Sequence, residues 1–418
     1  MSRKVLENWE LTNLGEIIVT KNNKSKQLKS TEYRKTGIFP VVDQSINLIC
    51  GYSDEKRKAI SSDLPIIIFG DHTRHTKFIS FPFIAGADGT QLLKPAKGID
   101  DKFFYYLVSF ASKKIGNYGY DRHFKHLKDF QCLYPTDECE QQKIAAILTA
   151  IDRAIAHTEA LIEKYQQIKA GLMHDLFTRG IGADGKLRPT REEAPELYQE
   201  SAIGWIPKKW DVLQLRDCLI DNPTNGIYKS QDQIGQGTLM IGQTAFTEER
   251  SINFSLCRRG VISEAEKQHY YVAENNILIT RVFATVDGVG LPTLVPQIHE
   301  EAVFESNMMR LRVDETKISS LILFEWLRNH RLRRLIVSGA NASNQVSINQ
   351  KTFNVLPIPL PSHDEQMRIA NTIIASDSKH FTEKANLRKL VQKKSGLMHD
   401  LLTGKVPVNV NPDEVDRI

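Results

Sequence analysis

The sequence predicts a mixed α/β (α+β) protein built by internal duplication. Two globular domains are separated by two long antiparallel coiled-coil helices, giving a pseudo-two-fold plan. Three observations predict this. Residues 140–180 and 365–405 align without a gap at an offset of 225, with 17 identities in 41 positions, closing on Gly-Leu-Met-His-Asp-Leu in both copies. The first copy carries Ile144, Leu148, Ile151, Ile155, Thr158, Ile162, Tyr165, Lys169, Leu172 and Leu176 at alternating spacings of four and three, which is a coiled-coil seam. Each copy also follows a domain-sized stretch that opens on tryptophan, Trp9-Glu10-Leu11 and Trp210-Asp211-Val212. A single repeat at half the chain length is a duplication, whereas a solenoid needs several short repeats.

The expected boundaries are 1–135 for the first domain, 136–180 for the first helix, 181–205 for a linker, 206–360 for the second domain, 361–405 for the second helix and 406–418 for a tail. Within each domain an apolar run reads as a strand, Ile38 to Val42 and Leu239 to Ile241. A second run flows into a polar, glycine-containing loop: Ile66 to Phe69 into Gly70-Asp71-His72-Thr73-Arg74-His75, and Ile277 to Ile279 into Thr280-Arg281. A helix is expected from Asp101 to Phe110, and another from Ile318 to Arg334. Each domain then ends on an apolar segment with prolines, Phe130 to Pro135 and Phe353 to Pro361.

A helix of about 40 residues is a rod of about 60 Å at 1.5 Å per residue. It needs a partner helix along its length, most economically its own duplicate. The second copy keeps Ile369, Ile373, Leu387, Leu390, Leu397 and Leu401 on the seam, but its middle is polar at Ser376, His380 and Glu383. Antiparallel rods would hold the two domains at opposite ends, as a ruler does. Two readers of the major groove would then favour centres one helical turn, about 10 bp, apart.

Composition is that of a globular protein, 41% hydrophobic and 25% charged. No apolar run reaches the roughly 18 residues needed to span a bilayer, and the N-terminal residues lack an apolar signal core. A cytoplasmic protein is expected. The five cysteines are scattered without metal-ligand spacing and are expected to be reduced. Residues 1–135 carry 21 Lys and Arg against 14 Asp and Glu, while residues 206–360 carry 17 against 16. In the second domain, Arg328, Arg331, Arg333 and Arg334 crowd around His330. Basic patches of this kind attract a polyanion.

The joint spacing resembles the specificity subunit of type I restriction–modification systems over essentially the whole chain. The elements that carry the resemblance are the Trp-opened domain, the apolar-Pro segment, Glu140-Gln141 and Glu365-Gln366, the long helix and Gly-Leu-Met-His-Asp-Leu. The segment Ile203-Gly204-Trp205-Ile206-Pro207-Lys208-Lys209-Trp210 is similar to that family's lead into its second target-recognition domain. The resemblance implies a non-catalytic DNA-binding subunit whose domains each read one half of a bipartite, asymmetric site. Its helices would set the spacer and dock two modification (methyltransferase) subunits, with restriction (motor-nuclease) subunits completing the complex. S-adenosylmethionine, ATP and magnesium would belong to those partners, with no cofactor and no metal on this chain.

The residues agree with a non-catalytic reading. Asp221-Asn222-Pro223-Thr224 lacks the second proline and the aromatic residue of an adenine methyltransferase motif, and the chain has no phosphate-binding GxxxxGK[ST] loop. His72 and His75 have no third ligand nearby in sequence, so a metal is not expected. The alternatives weighed are a coiled-coil scaffold that binds no DNA, and part of a fused restriction enzyme.

Base reading needs Arg, Lys, Asn, Gln, Thr and aromatic side chains on loops. The first domain offers Thr73, Arg74, His75 and Lys77, then Tyr118, Tyr120, Arg122, His123 and Lys125. The second offers Thr280, Arg281, Arg331, Arg334, Asn341, Asn344 and Gln345.

Overall fold

The computed structural model describes residues 8–22, 24–116, 122–247, 251–342 and 345–408. The chain forms two compact units, Met1–Ile162 with Thr382–Ile418, and Glu163–Phe381. Each unit therefore holds one domain and a part of both long helices. These helices, here rod 1 (Glu138–Thr178) and rod 2 (His363–Leu402), are unbroken.

In the first unit, a four-stranded antiparallel sheet has the order Ile18–Thr20, Thr90–Pro95, Ile66–Gly70, Thr76–Ile79. A three-stranded sheet places Phe39–Val42 between Gly51–Ser53 and, in parallel, Ile84–Ala85. Trp9–Asn13 and Gln131–Pro135 form an antiparallel ribbon. The run Ile66–Phe69 is apolar throughout because both its faces are buried. Ile67 and Phe69 join the core beneath the helix Asp101–Lys114, while Ile66 and Ile68 join a second core with Val42, Ile79 and Phe83. The period of two along a strand makes this division.

The second unit repeats these three sheets with the same strand order. Its four-stranded sheet runs Thr224–Asn225, Met308–Leu311, Ile277–Thr280, Pro292–Leu294. Its three-stranded sheet places Ile234–Ile241 between Arg258–Gly260 and the parallel Ala302–Phe304. Asp211–Gln214 and Pro357–Leu360 form the ribbon. Ile277 and Ile279 again face one core and Leu278 the other. The expected single helix from Ile318 to Arg334 is instead two, Ser320–Arg328 and His330–Ser338. Asn329 is extended between them, and its side chain accepts the Arg331 amide. Asparagine favours this N-cap role over a helix interior.

The rods are antiparallel within each unit. In the first, Ile144, Ala145 and Leu148 of rod 1 share a core with Met398, Leu401 and Leu402 of rod 2. Farther along, Asp152 meets Lys394 at 2.6 Å. In the second, Leu176 and Phe177 share a core with Ile369, Ala370 and Ile373, and Lys169 pairs with Asp377. Each domain core is thus completed by the start of one rod and the end of the other.

A buried glutamine fixes each rod to its domain. Gln141 donates to Pro135 O at 2.9 Å and Gly98 O at 3.2 Å, and accepts the Asp100 amide at 2.7 Å. Gln366 donates to Pro361 O and Lys317 O, both at 3.0 Å, and accepts the Ser319 amide at 2.9 Å. Asp100 and Ser319 are the residues that precede the domain helices. Both glutamines are buried, so water cannot replace these bonds.

Residues 181–205, expected as a linker, are folded into the second unit. Tyr198–Ser201 and Gly204–Pro207 form a hairpin, and Ile181, Ile203 and Ile206 lie in the core. Arg188 grips Glu365 with both terminal nitrogens, and Glu365 also accepts the Ile181 amide. The Glu365 side chain is 3% exposed.

Two outcomes are expected. Gln141→Ala and Gln366→Ala should each lower stability by roughly 2–4 kcal/mol, since each leaves buried backbone groups unpaired. Denaturant unfolding would show this, and an unchanged midpoint would rule the clamp out. Arg188→Ala should cost about 3 kcal/mol by stranding a buried carboxylate. The double variant Arg188→Ala/Glu365→Ala should then cost less than the two single changes together.

Candidate nucleic-acid interface

In each domain the structure brings the two candidate stretches together. In the first, the loop after Ile66–Gly70 turns tightly, with Gly70 N donating to His75 O and Arg74 N to Gly70 O. Arg74 adopts a left-handed φ of 60°. Its Nη1 donates to Ile115 O at 3.0 Å, at the end of the helix Asp101–Lys114. Asp71 ties the same loop to the second stretch. Its carboxylate accepts the Phe124 amide at 2.8 Å, and its carbonyl accepts the His123 amide. Gly70 is needed for close approach, because a Cβ there would lie 2.2 Å from the Thr73 hydroxyl.

In the second domain, Val282–Phe283 pairs with Val346–Ser347, which pairs in turn with Asn341–Ala342. Ile348 N donates to Arg281 O. Arg333 reaches across to Val289 O and Asp287 O.

The predicted readers fall into three groups. His75, Arg122, Lys125, Arg334 and Gln345 are exposed, as is Thr73, whose hydroxyl donates to Gln44 O. Arg74, Arg281 and Arg331 are half-buried and donate to carbonyls; Arg281 binds Ser306 O at 2.9 Å and Arg331 binds Trp205 O at 3.2 Å. Lys77, His123 and Thr280 point inward, which corrects their assignment as DNA contacts. Lys77 is 6% exposed and donates Nζ to Asp43 O and Asn47 O, and burial pushes its pKa down. His123 is 1% exposed with Nδ1 on Asp71 O, and Thr280 closes a fully buried strand. Asn341 lies in a short strand. Tyr118, Tyr120 and Asn344 lie outside the described residues.

Sequence reasoning missed a duplicated glutamine beneath the loops. Gln44 follows Phe39–Val42, and Gln243 follows Ile234–Ile241. Gln44 accepts the His72 amide at 3.0 Å and donates to Asp88 O at 2.8 Å. Gln243 donates to Val282 O at 2.8 Å and Asn307 O at 3.1 Å. Each holds the loop that leaves the central strand. The available signal was Asp43-Gln44-Ser45 against Gly242-Gln243-Thr244, hidden because its offset is not that of the rods.

Among the described residues, no group of three or more His, Cys, Asp or Glu could hold a metal. The five cysteines are free thiols. No helix is long and apolar enough to cross a membrane.

This architecture defines a tandem protein in which two copies of one loop-presenting domain are built onto a pair of rods. Residues 6–167 and 207–392 match the model of the type I restriction modification DNA specificity domain, and the chain belongs to that family. It is a specificity subunit with two such domains, and DNA-sequence specificity is the family's role. The type I restriction enzyme MjaVIII specificity subunit of Methanocaldococcus jannaschii is 21% identical, over 98% of this chain and 95% of that one. The StySPI specificity subunit of Salmonella potsdam is 23% identical, over 72% of this chain and 63% of its own length. The crystal structure of the type I restriction–modification S subunit from M. genitalium shares the fold, with a TM-score of 0.57 at 14% identity over 96% of this chain and 98% of that one.

Gln44→Ala and Gln243→Ala should each free one loop while leaving the rods intact. Hydrogen exchange should rise at residues 71–75 in the first variant and at 281–283 in the second, by about 5- to 150-fold for a loss of roughly 1–3 kcal/mol. Exchange that rises equally in both domains would refute a local role.

Proposed function

We propose that each domain reads one half of a bipartite, asymmetric DNA site and that the rods fix the spacer between the halves. The observation that carries this reading is the convergence of two loops in each of two domains that share their main sheets, with a half-buried glutamine, Gln44 or Gln243, holding the loop after the central strand. The exposed residues there supply cations and amide groups suited to phosphates and base edges. The chain itself is non-catalytic in this reading, acts in the cytoplasm and carries no cofactor. S-adenosylmethionine, ATP and magnesium serve two modification subunits and the restriction subunits.

Rod 2 offers a surface for those partners. Met367, Ile374 and Phe381 recur every seven residues and are 49%, 53% and 54% exposed. Such a stripe suits the apolar face of a partner helix.

The deciding experiment is single-molecule sequencing of genomic DNA from cells expressing this chain with its modification subunits. A split motif of methylated adenines that disappears with this gene supports the reading. An active modification subunit that leaves no motif refutes it. Arg122→Ala should relax one half-site only, by roughly 1–3 kcal/mol, whereas equal loss at both halves argues against modular reading. Ile374→Asp should weaken binding of modification subunits in co-purification without unfolding the chain, and unchanged assembly would remove the stripe from the interface.

A further inference from the structure

The end of rod 1, the hairpin Tyr198–Pro207 and the start of the helix His330–Ser338 enclose a cleft of about 220 Å³ within the second unit. Its walls include His174, Arg179, Arg191, Trp205 and Arg331. The Arg191 guanidinium lies over the Trp205 ring, 4.5 Å from its centroid. Arg331 Nη1 donates to Trp205 O at 3.2 Å, which turns its guanidinium to the same wall. Two carboxylates also line the cleft. Asp175 is committed to Arg179 at 3.4 Å, and Glu192 is exposed. Among the described residues, Arg191, Arg331 and Arg334 form no ion pair with a carboxylate.

Three arginines thus face two carboxylates in the lining, and with Asp175 committed to Arg179, Arg191 and Arg331 leave the cleft net positive. Burial pushes the pKa of His330 below its ordinary value, and Arg331, Arg334 and His174 push it further. Burial and Arg334 act on Arg331 in the same direction. A cleft lined by an excess of one charge raises the local concentration of the opposite ion. Planar guanidinium forks offer several donors to one oxyanion, and the indole gives the cleft a flat apolar wall.

We propose that this cleft binds a phosphate-class oxyanion, with Arg191 and Arg331 as principal donors and Trp205 as the wall that orients them. A backbone phosphodiester of bound duplex is the favoured source, and that choice of source rests on the DNA-reading function proposed above. The cleft is lined by residues of the rod, the hairpin segment and the helix start rather than by the paired strands Val282–Phe283 and Val346–Ser347, so it would anchor the duplex without reading its sequence.

The test titrates inorganic phosphate into the full chain by calorimetry at constant ionic strength. Wild type should bind one phosphate per chain, and Arg191→Ala and Arg331→Gln should each weaken binding tenfold or more. Arg191 is exposed and, among the described residues, makes only the ring contact, so its variant keeps the test valid if Arg331→Gln unfolds. A second arm measures duplex affinity against salt for the assembled complex. Loss of one phosphate contact should flatten the log–log slope by about 0.9, equally for all sequences. Weakened phosphate binding with a flattened slope supports the phosphodiester. Weakened phosphate binding with an unchanged slope supports the site but overturns that source in favour of free phosphate. No phosphate binding by wild type, with unchanged slopes in both variants, overturns the proposal. Failure of half-site reading would show as lost sequence preference in wild type, which the phosphate titration does not depend on.

Discussion

Everything in this chain depends on how a rod is held to a domain, and a buried glutamine does the holding. Gln141 and Gln366 each use both donor directions and the acceptor of one side-chain amide. The partners are the carbonyl that ends the apolar-Pro strand and the backbone where the domain helix begins. A rigid-body tilt of the rod would break all of these bonds together, because they converge on one side chain. An apolar residue could fill the space but would leave the carbonyls unpaired. Glutamate lacks the donors. The identity of this position in both halves thus follows from geometry.

The neighbouring glutamate shows how far the halves have diverged around that fixed point. Glu140 accepts from Trp9 Nε1 at 3.2 Å and is half-buried, and burial raises its pKa. Glu365 is buried and takes Arg188 instead, while the indole nitrogen of Trp210 is buried with no hydrogen-bond partner among the described residues. The arginine comes from the segment that joins the halves in sequence. Arg188 ties that segment to rod 2, and the carbonyl of the next residue, Pro189, accepts the Tyr198 hydroxyl of the hairpin. One carboxylate therefore serves a tryptophan in one unit and an ion pair in the other, on the same scaffold.

The rods were legible in the sequence because a seam of fours and threes repeats over many turns and tolerates little else. The domain topology was only partly legible. Its strands are short, and insertions shift the offset between halves, so Gln44 and Gln243 do not align with the spacing of the rods. Lys77 was misread as a surface cation although it shares the strand Thr76–Ile79 with buried Ile79, two residues on. Strand alternation turns both side chains inward, and two backbone carbonyls then satisfy the ammonium. The break at Asn329 was missed because the apolar pattern continues across it, whereas its cap depends on a single side-chain oxygen.

The remaining identities in the repeat explain why the rods run antiparallel. Asp152 and Lys169 of rod 1 stand 225 residues before Asp377 and Lys394 of rod 2, so the repeat has kept both residue types. The observed pairs are Asp152 with Lys394 and Lys169 with Asp377, the two copies of one interaction. Parallel rods in register would set Asp152 against Asp377 and Lys169 against Lys394. Each half-exposed pair contributes at most about 1 kcal/mol, too little to hold the rods together. The repulsion in the alternative adds to the difference between the two arrangements, and selection between arrangements depends on that difference. The apolar residues at each end of the seam supply stability, and the charges set direction. Direction in turn decides that the end of each rod completes the core of the domain it does not directly follow.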